Sequence, residues 1–99
     1  MTTIGIFAEK NGVYTGKLNT LTLKDDIVII PVKTSNPKAP GFKLYIPGSD
    51  HEVGIAWARK TKGGSADLSV ILDDPSFVAP ISARLIAWED GQYRLLWNR

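Results

Sequence analysis

The sequence predicts an all-β protein: a single small antiparallel sandwich or barrel of about eight short strands, mostly meander in connectivity. Three observations carry that prediction. Isoleucine, valine and threonine fill 23 of the 99 positions, and β-branched side chains suit the pleated surface of a sheet. Apolar and polar residues alternate with period two along most of the chain. Turn chemistry interrupts that alternation roughly every 8–12 residues, and no segment holds a helical period over ten residues. The length suits one domain, residues 1–99, with a single core.

The elements follow in order. Thr3–Glu9 alternates Ile4, Ile6 and Ala8 against Thr3, Gly5 and Phe7. Asn11-Gly12 follows, a pair that favours a type I′ turn because both central residues need positive φ. Val13–Thr20 is then the partner strand, so residues 3–20 form a hairpin. Leu21–Lys24 continues extended, with Leu21 and Leu23 on one face, and Asp25-Asp26 turns the chain. Ile27–Ile30 is apolar on both faces and reads as a fully covered central strand. Pro31 lacks a ladder donor and marks its end.

Thr34–Gly41 is a loop by composition. Phe42–Ile46 is a strand closed by Pro47-Gly48. In Glu52–Lys60, Val53, Ile55 and Trp57 share a face. Gly54, Ala56 and Ala58 form the other, small enough for a backbone or a flat ligand to approach closely. Thr61–Ala66, with Gly63-Gly64, is a hairpin loop, and Asp67–Leu72 returns with Leu68, Val70 and Leu72 inward. Asp73–Pro80 is a second long loop. Ile81–Trp88, the tight turn Glu89-Asp90-Gly91 and Gln92–Trp97 complete the chain. Eight strands in 99 residues leave edge strands to manage, so edge-to-edge dimerisation is expected.

Composition narrows the function. The absence of cysteine removes disulfides, zinc-thiolate sites, iron–sulfur clusters and a cysteine nucleophile. MTTIGIFAEK has no basic n-region and no apolar h-region, and the longest apolar run, Ile27–Val32, is far below the ~20 residues of a membrane span. A cytoplasmic protein without membrane contact is expected. Net charge is only +2, although the isoelectric point is near 9.0. Residues 1–50 carry six Lys against four acids, while the densest cationic cluster, Arg59-Lys60-Thr61-Lys62, lies in the second half.

The sequence offers no enzyme. Ser49, Asp50 and His51 stand side by side, but a catalytic triad converges from separate parts of a fold. His51, the sole histidine, therefore reads as a solvated turn residue. Asp25-Asp26, Asp73-Asp74 and Glu89-Asp90 sit where the chain turns, where Asp side chains bond nearby backbone N–H groups. No metal or other cofactor is expected.

Two binding surfaces remain. Arg59, Lys60 and Lys62 at a hairpin tip, with Lys43 and Tyr45 nearby, form a candidate nucleic-acid surface. Small β-barrels hold single strands by placing cations on phosphates and bases on aromatic rings. Charged loop tips also serve solubility, and the aromatics have core positions open to them. Arg84, Ile86, Trp88, Arg94 and Leu96 form a candidate protein interface, since both faces of the last hairpin carry large side chains and only one can be core. In so short a chain, this also points to a homodimer or a partner protein.

Several runs resemble a bacterial family catalogued as domain of unknown function seven-three-six. They are Thr3-Ile4-Gly5, Thr20-Leu21-Thr22-Leu23, Lys38-Ala39-Pro40, Val53–Trp57, Leu72-Asp73-Asp74-Pro75-Ser76-Phe77, Ala79-Pro80-Ile81 and Leu96-Trp97-Asn98-Arg99. The resemblance covers nearly the whole chain; Val78, Ser82 and the Tyr45–His51 segment depart from the pattern. It carries no catalytic residues. It implies an accessory protein of plasmids and other mobile genetic elements. Two roles fit that context: a single-stranded nucleic-acid binder, or a small inhibitor of a host defence complex of the anti-restriction or anti-CRISPR type.

Overall fold

In the structure, a computed structural model, eight antiparallel strands close into one barrel in the order of the chain. It describes residues 2–21, 24–33, 35–36, 38–60, 66–88 and 91–97, with the side chains of residues 59, 60 and 66 left out. The strands are β1 (Thr2–Lys10), β2 (Val13–Asn19), β3 (Lys24–Pro31), β4 (Phe42–Tyr45), β5 (Glu52–Lys60), β6 (Ala66–Leu72), β7 (Ile81–Ala87) and β8 (Gln92–Trp97). No helix among the described residues is long and apolar enough to cross a membrane.

The β1–β2 hairpin forms as its turn chemistry requires. Asn11 and Gly12 take φ values of 54° and 85°, and Lys10 faces Val13 across the turn. Pro31 is the last residue of β3. Two assignments change, one of a turn and one of an extended segment. Asp25 and Asp26 lie inside β3, opposite Leu18 and Lys17. Leu21 stands outside the strands and is fully exposed. Gly63-Gly64, Glu89 and Asp90 lie outside the described residues.

β1 pairs with β8, with Phe7 opposite Tyr93, so every strand has two neighbours. Closure removes the sheet edges that edge-to-edge dimerisation needed. The interior is filled by side chains, as in other eight-stranded barrels. Phe7, Ile29, Leu44, Val70, Leu72, Leu85 and Leu95 are almost wholly inaccessible. β3 is covered on its inner face only: Ile27 and Ile29 are buried, while Ile30 is exposed.

Two bulges shift the faces that simple alternation assigns. A register break between Thr3 and Gly5 places Ile4 and Phe7 in the core and leaves Ile6 48% exposed. A second break, between Leu44 and Tyr45, lets both Val53 and Gly54 be buried. Beyond it the small face of β5 is the inner one. Ala56 is fully buried opposite Val70, and Ile55 and Trp57 face outward. The backbone that approaches that small face is β6: a Cβ on Gly54 would lie 2.4 Å from the Ile71 carbonyl oxygen.

Candidate nucleic-acid interface

In a closed meander every odd-numbered strand runs from one rim to the other. The connections after β1, β3, β5 and β7 therefore share one rim, and those after β2, β4 and β6 share the opposite one. This sorts the charges. The first rim carries Lys10 at the end of β1, Lys33 and Lys38 in the loop after β3, and Arg59 and Lys60 at the end of β5. The second carries Asp25 and Asp26, Asp50 and Glu52, and Asp73 and Asp74, with Lys24 and His51 among them. Cations scattered through the sequence share one rim because the strands alternate in direction.

The basic rim is built around aromatic rings. Tyr14, Phe42 and Tyr93 come from β2, β4 and β8 and pack against the core. Tyr14 meets Tyr93 edge-to-face at 5.0 Å between centroids and Phe42 at 6.2 Å. Burial raises the Tyr14 pKa, with smaller contributions from Tyr93 and Glu9, so its hydroxyl stays protonated at neutral pH. Two described acids lie at this rim: Asp67, opposite Arg59 across β5–β6, and Glu9, which accepts a hydrogen bond from the Gly12 N–H at 3.0 Å.

The lysine loop is held in place. Val32 N–H donates to the Gly41 carbonyl at 2.9 Å, and Lys38 N–H to the Asn36 side-chain oxygen at 3.0 Å. The Trp57 indole N–H donates to the Lys38 carbonyl at 3.3 Å, anchoring the loop to the outside of β5.

Trp88 follows β7 at the same rim and is 46% exposed. Its backbone N–H donates to the Gln92 carbonyl at 2.8 Å. The Arg94 guanidinium carbon lies 4.9 Å from its ring centroid, within cation–π range.

The five residues expected to hold nucleic acid are not all brought together. The backbones of Arg59 and Lys60 end β5 at the basic rim; Lys62 lies outside the described residues. Lys43 sits on the outer wall in an ion pair with Glu52 at 3.1 Å. That hydrogen bond, then the Glu52 charge and the nearby Tyr45, raise its pKa. Tyr45 lies towards the acidic rim, opposite Val28 and Glu52.

The expected protein-interface residues do share the outer wall. Arg84 faces Leu96 and Ile86 faces Arg94 across β7–β8, while Ala83, Leu85 and Leu95 point inward. Arg84 is committed elsewhere: its Nη2 donates to Asp67 Oδ2 at 2.5 Å. Asp67 is only 4% exposed although it lies on an outward-facing position of β6.

On the acidic rim, His51 and Asp74 join two loops, with Nε2 and Oδ1 2.6 Å apart. Asp74 also accepts from the Ser76 N–H at 2.9 Å and hydroxyl at 2.5 Å. Those Ser76 bonds and the His51 bond hold its pKa down to about 2. The turn role assigned to Asp74 is thus observed, and His51, half-exposed, is tied to it. Nothing in the spacing signals that bond: the partners are 23 residues apart and meet only because the barrel places their loops on one rim.

Comparison with curated proteins and with solved structures gives no significant match. The model of the family described as protein of unknown function (DUF736) matches residues 3–99, and the chain belongs to that family.

Proposed function

We propose that the chain is a non-enzymatic accessory module that holds single-stranded nucleic acid on its basic rim. The observation that carries this reading is the sorting of charge by strand direction. Lys10, Lys33, Lys38, Arg59 and Lys60 belong to one rim, around the Tyr14–Phe42–Tyr93 cluster and beside exposed Trp88. Single-strand binders combine such cations for phosphates with rings on which bases stack. The acidic opposite rim orients the polyanion towards this end. The test is fluorescence anisotropy of a labelled oligonucleotide across a salt series. Affinity falls with a log–log slope of roughly −0.7 per phosphate neutralised, and Lys33→Glu with Lys38→Glu flattens it. Absence of binding at low salt, or binding that salt leaves unchanged, overturns the reading.

A second reading, capture of a host protein, is favoured by one observation. Ile6 and Trp88, 48% and 46% exposed, lie on the outer wall beside Arg94, which faces Ile6 and Ile86 across the ladders. Tryptophan and arginine are the residues that most often anchor protein interfaces. Under this reading Ile6→Glu abolishes protein capture and leaves oligonucleotide binding intact.

A further inference from the structure

At the acidic rim the barrel interior opens into a cavity of about 120 Å³. Its apolar lining includes the buried Leu18 and Leu72, with Ile46 and Phe77 from the loops after β4 and β6, and its polar lining is Asp25, Asp74 and Ser76. Ile46 and Phe77 of these loops are partly buried against the core. The His51–Asp74 bond ties one to the other, and the Asp73 N–H donates to the Val53 carbonyl at 2.8 Å. The mouth of an eight-stranded barrel is a usual place for one small ligand.

We propose that this cavity binds a small alkylammonium, with its apolar group among Leu18, Leu72 and Phe77 and its ammonium towards Asp25 and Asp74. Size sets the apolar part. A cavity of about 150 Å³ accepts benzene, so this one takes a branched chain of about five carbons. Charge sets the head group. Asp25, Asp50 and Asp73 stand on the same rim as Asp74, which stays ionised through its bonds to Ser76 and His51. Two further acids of this end, Asp26 and Glu52, are paired with Lys17 and Lys43. Lys24 stands on this rim as well, while Lys17 is engaged by Asp26 and the His51 ring by Asp74. The site is separate from the basic rim and does not depend on nucleic-acid binding.

The test is an amide-resolved NMR titration of the full chain with isopentylammonium chloride at neutral pH. Isopentanol and isovalerate serve as probes of matched shape. The proposal expects saturable shifts at Leu18, Ile46 and Phe77, with the ammonium binding about tenfold tighter than the alcohol and the carboxylate not at all. Ile46→Trp, which fills the cavity, abolishes the shifts. Asp25→Asn weakens the ammonium severalfold and spares the alcohol, so the proposal remains testable if the tryptophan variant fails to fold. Equal affinity for the three probes overturns the ammonium assignment. No saturable shifts with the ammonium at millimolar concentration, or shifts confined to other parts of the barrel, overturn the site.

Discussion

The Arg94 guanidinium stands over the Trp88 indole at 4.9 Å from the ring centroid, on the outer wall beside the basic rim. The contact holds a half-exposed aromatic in a fixed orientation and leaves part of it open. If Trp88 is a stacking platform, Trp88→Ala leaves the fold intact, with stability changed by under about 1 kcal/mol. Oligonucleotide binding then weakens by about 1–3 kcal/mol, the range for one lost base–aromatic stack. Thermal melting and anisotropy on the same preparation check both halves; unfolding on this change would place Trp88 in the core.

Arg84 and Asp67 form the most buried ion pair described, the Asp67 side chain being 3% exposed and that of Arg84 40%. Arg84→Leu strands a buried carboxylate and costs about 3 kcal/mol. Adding Asp67→Leu removes the stranded charge and recovers most of the loss. Urea denaturation of the single and double variants measures this, and equal stability of the two would contradict it.

At Gly54 the β6 backbone leaves no room for a side chain on β5. A Cβ there would lie 2.4 Å from the Ile71 carbonyl oxygen and 3.2 Å from the Leu72 Cα. Because both are backbone atoms, Gly54→Ala forces the strands apart and costs about 1–3 kcal/mol. Gly41→Ala, where the new methyl meets nothing within 4 Å, is the control and leaves the urea midpoint unchanged.

Asp74 gives the fold a specific acid sensitivity. Its pKa falls from the ordinary 3.8 to about 2 in the folded chain. A depressed carboxyl stabilises the fold above its unfolded pKa, and that contribution is lost as pH falls through the folded value. Wild type is therefore more stable than Asp74→Asn at neutral pH, and the melting temperatures converge between about pH 4 and 2. A constant difference across that window would show that the Asp74 charge contributes nothing.

These features differ in how far the sequence announced them. The β1–β2 hairpin was legible because Asn11-Gly12 encodes its turn locally, and Leu68, Val70 and Leu72 alternate inward as written. Ile6 and Ala56 were not legible, because a bulge reverses the faces beyond it and leaves no compositional mark. Closure of β1 on β8 joins the two ends of the chain, a pairing that local alternation cannot reveal. The same holds for the rims: Lys10, Lys33, Lys38 and Lys60 fall on one rim only once strand directions are known. Asp25-Asp26 shows the opposite failure, a turn signal overridden by pairing with Leu18 and Lys17.

The most direct test of the account maps a short single-stranded oligonucleotide onto the chain by amide and indole NMR shifts at low salt. Binding on the basic rim shifts Lys10–Val13, Lys33 and Lys38, Arg59 and Lys60, and the Trp88 indole, all fading as salt is raised. Shifts confined to the His51 and Asp74 loops, or no shifts at all, would contradict it.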